Sequence, residues 1–278
     1  MKIRQEIITA RSNPLIKRVA ALQDKKGREA EKSFVVEGEK LSYEALENKL
    51  PITHIFIAES RYSKILPKIK AYNFGNAYDY TEVIKVSDSA FEKISSEKAP
   101  QGIISVIKYL DFFDKMDIIY KEEFFLKKDE RALVLCSVRD PLNLGSVIRS
   151  SVAFGVEHII LTSDCADVYN TKAIRSAMGS MFKIRITAIS NLEAFIAMAR
   201  KAERRVLAAE LTDNAISLND AALTDSDIVI IGNEGHGIPR EISALCDASI
   251  YIPISKNTES LNASCAAAIF MWEQSKNS

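Results

Sequence analysis

Five side chains in the last half of the chain have types suited to chemistry. They are Asn143 and Arg149 in RDPLNLGSVIRSS (139–151), Glu234 in IVIIGNEGHGIPREI (228–242), and Ser260 and Asn262 in YIPISKNTESLNASCAAAI (251–269). Each stretch passes from an apolar strand through a polar, turn-rich loop into a helix. In an open α/β sheet, ligands bind in the crevice outside such strand ends. Arginine brings a planar, permanently charged fork of donors, a carboxylate brings acceptors, and an amide or hydroxyl brings both. Each residue also has an ordinary duty open to it. Asn143, Ser260 and Glu234 suit helix capping, and Arg149 suits a surface ion pair.

The elements that must position these loops follow a regular alternation. Apolar strands are expected at 132–138, 158–162, 182–187, 205–209, 228–232 and 249–254, with helical segments between most of them. One such helix starts at Ser190 with Glu193 three residues on, which reads as a capping box. The last, 261–273, carries Ala266, Ala267 and Ala268, small enough for close packing against a neighbour. Short apolar strands alternating with helices predict a mostly parallel sheet covered on both faces. In the first half, Asn13 and Pro14 read as N-cap and first residue of a helix whose apolar stripe is Leu15, Val19 and Leu22. Strands near 34–36, 52–58 and 103–107 and helices near 43–46 and 65–69 complete a small α/β unit. The expected organisation is therefore a domain over 1–110, a linker over 111–130, and a second α/β domain over 131–278. The linker is rich in charge, and Phe112, Phe113, Phe124 and Phe125 imply that it packs on something.

Composition narrows the class further. The chain has 278 residues, 47% hydrophobic and 27% charged, with 37 basic side chains against 37 acidic ones. That balance disfavours a purely electrostatic nucleic-acid binder but leaves room for a local basic face. Residues 1–35 hold nine basic side chains against four acidic ones. A helix followed by a basic loop there would grip a phosphate backbone; the alternative is a solvated amphipathic helix. Cys136, Cys165, Cys246 and Cys265 lack metal-ligand spacing, and Cys136 and Cys265, in apolar runs, are expected in the core. No metal is expected. The first ten residues have no apolar core of signal-peptide length, and no apolar run reaches membrane-spanning length, so a cytosolic protein with reduced thiols and no membrane partner is expected. His54 and His158 read as strand residues and His236 as a turn residue. No dinucleotide-binding or Walker-type glycine pattern is present, which argues against a nucleotide-dependent oxidoreductase. Gly235-His236-Gly237 either exposes backbone N–H groups to a ligand or forms a tight turn.

Taken together, the three loop stretches resemble the three motifs of the SpoU (TrmH) family of RNA ribose 2′-O-methyltransferases. The carriers are Asn143 and Arg149, then Gly232-Asn233-Glu234, then Ile252-Pro253 with Ser260-Leu261-Asn262. Arg11-Ser12-Asn13-Pro14 with Lys17, and Phe34-Val35-Val36-Glu37-Gly38, are similar to the family's N-terminal, ribosomal-protein-like RNA-binding domain. The resemblance implies a knotted, SPOUT-type parallel-sheet domain, a homodimer, S-adenosylmethionine as cofactor, and structured RNA as substrate, ribosomal RNA ahead of tRNA. By the family pattern Arg149 is the catalytic arginine, with Asn143, Glu234, Ser260 and Asn262 completing the site; the implied dimer interface borders the cofactor site and leaves open whether Arg149 serves its own subunit or the partner. Glu234 would pair with Arg149 or contact substrate, Ser260 would cap the last helix, and Asn262 would reach the substrate side. Gly232, Ile252 and Leu261 would hold the cofactor, supported by Ala209, Glu210 and Ile254. Arg11, Asn13, Lys17, Arg18 and Arg28 would contact RNA. The third motif departs from the family at Lys256-Asn257, where many relatives carry glycine. The alternative is a non-catalytic RNA-binding or ribosome-assembly protein on the same fold.

Overall fold

The computed structural model describes residues 1–72, 78–110, 113–116, 126 and 130–276. They divide into two compact units, one of residues 1–110 with 169–182, the other of 111–168 with 183–278. Of the segment read as a linker, 113–116 form a strand, while Phe112, Phe124 and Phe125 lie outside the described residues.

The first unit begins with β1 (Lys2–Ile3), α1 (Pro14–Ala21), α2 (Lys25–Glu31), β2 (Ser33–Glu37), α3 (Glu39–Glu47) and β3 (Ile52–Ala58). It continues through α4 (Glu59–Ala71), β4 (Glu82–Val86), α5 (Asp88–Ile94) and β5 (Ile103–Lys108). The sheet order is β1-β4-β3-β5-β2, parallel at β1/β4 and β4/β3 and antiparallel at β3/β5 and β5/β2. α1 starts as its sequence demands. Asn13 accepts from Leu15 N at 2.9 Å, and Pro14 takes the first helical position, where its missing N–H is no loss. Ile16, Val19 and Leu22 are buried with α5 and the sheet face of Val35, Phe56, Ile84 and Val106. The later segment of this unit packs by its rings: Tyr169 lies 4.2 Å from Tyr109 and 4.6 Å from Phe34, centroid to centroid.

The second unit is built on β6 (Phe113–Met116), β7 (Ala132–Leu135), α6 (Pro141–Ala153) and β8 (His158–Thr162). After α7 (Thr171–Ala177), which belongs to the first unit, come β9 (Arg185–Ile189), α8 (Leu192–Lys201), β10 (Val206–Ala209) and β11 (Ile216–Ser217). β12 (Ile228–Ile231), α9 (Arg240–Ser243), β13 (Ala248–Tyr251) and α10 (Ala263–Ser275) close the chain. The eight strands run β11-β13-β10-β12-β7-β8-β9-β6, and every described pairing is parallel. Runs such as Ala132–Leu135 and Ile228–Ile231 are buried along their whole length, as parallel strands covered on both faces must be. Four expectations shift. α8 is capped by Asn191, whose side chain accepts from Ala194 N at 2.8 Å, so Glu193 falls in the first turn without closing a box with Ser190. α6 is capped by Asp140, which accepts from Leu142 N at 2.9 Å, and this leaves Asn143 free of capping. α10 is capped by Asn262 and not Ser260. Cys265 is exposed, because it sits on the side of α10 turned away from buried Ala263, Ala267 and Phe270.

Candidate active site

The carboxyl ends of the strands gather the three loops. β7 leads through Ser137 into α6, and β12 leads into a tight turn at 233–237. Asn233 and Gly237 exchange both backbone hydrogen bonds, at 3.1 and 2.9 Å, and the Asn233 side chain accepts from Gly235 N at 2.8 Å. The turn is anchored by Asn233 Nδ2 donating to Ser137 O at 2.8 Å. Gly235-His236-Gly237 is therefore a tight turn. A Cβ on Gly232 would meet the Gly237 carbonyl carbon at 2.5 Å, so only glycine lets the strand end pass this close to the turn.

At this edge Asn143, in the first turn of α6, donates through Nδ2 to the Glu234 carboxylate. Asn262 Nδ2 donates to Asn143 Oδ1 at 3.0 Å, while Asn262 Oδ1 accepts from Ser264 N at 2.9 Å at the start of α10. One chain of hydrogen bonds thus ties the N-terminus of α10 to Glu234 and fixes which way the Asn143 amide points. Asn143, Glu234 and Asn262, from three separate loops, meet as expected of one site. Glu234 does not pair with Arg149: its carboxylate is taken by the Asn143 amide. Arg149 lies six residues beyond Asn143, about 9 Å along α6 and about 120° around it. Its side chain is exposed and makes no ion pair or hydrogen bond among the described residues.

Beside this cluster the ends of β10, β12 and β13 and the loop before α10 enclose a cavity of about 560 Å³. All six residues expected to hold a cofactor line it: Ala209, Glu210, Gly232, Ile252, Ile254 and Leu261. Ser260 and Glu234 line it too. Its volume falls in the range of small-molecule sites, and Ile252, Ile254, Leu261 and Phe270 give it an apolar slot. The Glu210 carboxylate accepts from Ser249 at 2.7 Å and from Ser243, which ties β10 to β13 and α9. That residue shapes the wall as much as it faces the cavity. Leu211, Glu259 and Phe270 were not foreseen as lining residues. Leu211 carried a signal, being an apolar residue one step beyond a strand-end carboxylate, and in the structure it is 76% exposed.

Two comparisons decide what kind of protein this is. The family model described as the SpoU rRNA Methylase family matches residues 130–272, and a model of the MRM3-like substrate binding domain matches 13–105. The chain belongs to the SpoU rRNA methylase family. Among its relatives is the 23S rRNA (guanosine(2553)-2′-O)-methyltransferase of Bacillus subtilis, 28% identical over 95% of this chain and 97% of that one. Another is the 23S rRNA (guanosine-2′-O-)-methyltransferase of Blochmanniella floridana, 31% identical over 64% of this chain and 70% of its own. A solved rRNA methyltransferase from Sinorhizobium meliloti with bound AdoMet superposes with a TM-score of 0.79 at 26% identity, covering 99% of this chain and 98% of that one.

Within this SpoU member the residues expected to meet RNA have distinct surroundings. Lys17 is exposed and has no ion pair among the described residues. Arg18 reaches Glu31 at 2.8 Å and Arg11 lies 3.8 Å from Glu92, each pair largely open to water. Asn13 spends its side-chain oxygen on the α1 cap. Arg28 corrects the expectation. It is 2% exposed, and its guanidinium donates to Leu22 O at 3.0 Å and Gln23 O at 2.7 Å, satisfying carbonyls at the end of α1. A buried guanidinium turned inward cannot meet a phosphate.

Proposed function

We propose that this protein is an S-adenosylmethionine-dependent methyltransferase that modifies a ribose 2′-hydroxyl of ribosomal RNA in the cytoplasm, working as a homodimer. The carrying observation is the cavity at the strand ends with the Asn262–Asn143–Glu234 chain at its rim. When bound, S-adenosylmethionine supplies a methyl carbon made electrophilic by a sulfonium. The side chains have the remaining work. The acceptor hydroxyl passes its proton to solvent water, and its oxygen must carry charge while the new bond forms. The Arg149 guanidinium supplies donors that stabilise such an oxygen and grip the neighbouring phosphate. Glu234, held by Asn143, fixes the acceptor ribose so that the bond-forming atoms stay in line. Lys17, Arg18 and Arg11 give the N-terminal unit its phosphate contacts.

The dimer reading is supported by the surface that carries Arg149. On α10, Cys265, Ile269 and Trp272 recur at helical spacing and are exposed, Trp272 by 53%, and Leu142 at the start of α6 is 51% exposed. α6 and α10 are joined side to side by Ser151 Oγ donating to Met271 Sδ at 3.2 Å and by Phe154 and Trp272, 5.9 Å apart. A second copy covering this apolar face would bury it and bring one subunit's unpaired Arg149 toward the other's cavity. The same family reading implies the threaded, knotted path of the C-terminal segment. Among the described residues no helix is long and apolar enough to cross a membrane.

The test is transfer of label from methyl-labelled S-adenosylmethionine to rRNA, with the modified nucleotide mapped as a 2′-O-methyl. Wild type should label RNA, and Arg149→Ala should lose about 10²–10³-fold in rate with an unchanged melting temperature. Equal labelling by both proteins would remove Arg149 from the mechanism. No labelling by wild type, with RNA still bound, would leave the RNA-binding alternative.

A further inference from the structure

The cavity described above has a one-sided charge. Among the described residues that line it, the acidic side chains are the carboxylates of Glu210, Glu234 and Glu259, and no lysine, arginine or histidine stands with them. The three differ in how far they are committed. Glu210 is held by two serine hydroxyls and Glu234 by the Asn143 amide. Glu259, just before Ser260-Leu261 on the wall, is exposed and has no hydrogen bond or ion pair among the described residues. Lys256, in the same loop, is not part of the lining.

A carboxylate kept at the wall without a partner sets a negative potential inside. Methyl transfer changes the charge of what the cavity holds. The donor carries a sulfonium cation, whereas the product left after transfer is a neutral thioether. Both keep the same adenosine, α-amino and carboxylate groups, so contacts to those groups cannot tell them apart. Resting on the function proposed above, we propose that Glu259 is a specificity-determining residue that makes the cavity prefer the cationic donor to the neutral thioether product. The attraction acts on donor binding and vanishes on transfer, so the product is held less tightly and leaves.

Binding calorimetry on the full-length protein tests this with three ligands: S-adenosylmethionine, S-adenosylhomocysteine, and sinefungin, which carries an amine cation near the position of the sulfonium. Glu259→Gln should weaken S-adenosylmethionine and sinefungin by about three- to tenfold and leave S-adenosylhomocysteine within twofold, as expected for one charge pair in a partly solvated site. Glu259→Asp, which keeps the charge, should restore most of the preference. In wild type the donor-to-product affinity ratio should shrink as salt rises toward 1 M, because an exposed carboxylate is screened. Equal weakening of all three ligands by Glu259→Gln would overturn the proposal and make Glu259 an ordinary contact to a shared group. No change for any ligand would overturn it too. If wild type bound neither the donor nor the product, the methyltransferase reading itself would fail, which is a separate outcome.

Discussion

The two ends of the parallel sheet use the same side-chain types in opposite ways. At the amino ends of the strands the charges are paired, and Glu130, His158 and Asp227 are buried. Glu130 accepts from Arg185 at 2.5 Å, Arg185 also approaches His158 Nδ1 at 2.8 Å, and His158 Nε2 meets Thr187 Oγ1 at 2.8 Å. Arg205 grips Asp227 through two hydrogen bonds, at 2.9 and 2.7 Å, and Asp247 accepts from Val206 N at 2.7 Å. At the carboxyl ends Glu234, Glu259 and Asn262 are exposed and Asn143 and Glu210 half-buried, with Arg149 and Glu259 unpartnered among the described residues. An ion at the first end is neutralised by its neighbours and holds strands in register. An ion at the second end keeps its field available for something that is not part of the chain. The difference lies in whether partners are supplied, not in residue type.

The sharpest break in that comparison is at Asp227, whose side chain is 3% exposed. Asp227→Ala removes the carboxylate that Arg205 and Thr224 N share, while the half-open Arg205 keeps water and the Ala221 and Ala222 carbonyls, and should lower stability by about 2 kcal/mol, read from the denaturant midpoint. Methyl transfer at a temperature where the variant stays folded should be unchanged; a matching loss of rate would mean that the two ends are not separable. His158 gives a pH signature of the covered end. Burial, reinforced by Arg185 and Arg204, pushes its pKa down to about 3 from 6.5. Below pH 6.5 the unfolded chain takes up a proton that the folded one refuses until near pH 3. Stability contributed by neutral His158 is therefore complete above pH 6.5 and lost as pH falls, at about 1.4 kcal/mol per pH unit. His158→Gln should remove that component from the slope between pH 6 and 4, and an unaltered slope would show that His158 is not the group involved. The smallest effect belongs to the open end. Asn262→Asp keeps an acceptor for the α10 cap but removes the donor to Asn143, so stability should stay within about 0.5 kcal/mol. The rate of transfer should fall about tenfold, because Glu234 loses its fixed support, a change of about 1.4 kcal/mol in the barrier. If Asn262→Asp transfers methyl groups as fast as wild type, the hydrogen-bond chain has no catalytic role.

Much of this arrangement was legible in the sequence, and the reasons differ from element to element. α1 was readable because Asn13 and Pro14 are local signals that act within one turn. The parallel sheet was readable because strands buried on both faces must be apolar throughout, as Ile228–Ile231 is. Caps were less readable where two capable residues stood side by side: Ser190 and Asn191, or Ser260 and Asn262. In both pairs the asparagine won, and in the second Ser260 and Leu261 line the cavity beside the capped helix. Arg28 could not be read at all, since nothing local says whether a basic residue in a charged helix turns to water or toward the carbonyls of the preceding helix. Strand β6 was missed because an edge strand in a charge-rich segment lacks the apolar run that marked the others.

By itself the sequence determined the periodicities and the residue types placed at each strand end, because these depend on steric and hydrophobic preferences acting over a few positions. Only the tertiary structure decided which of those residues meet. It joined Asn143, Glu234 and Asn262, separated by 91 and 119 positions from Asn143. Strand order, which places β12 beside β7 and β13 beside β10, is settled by burial across the whole sheet and not by any neighbouring pair of residues.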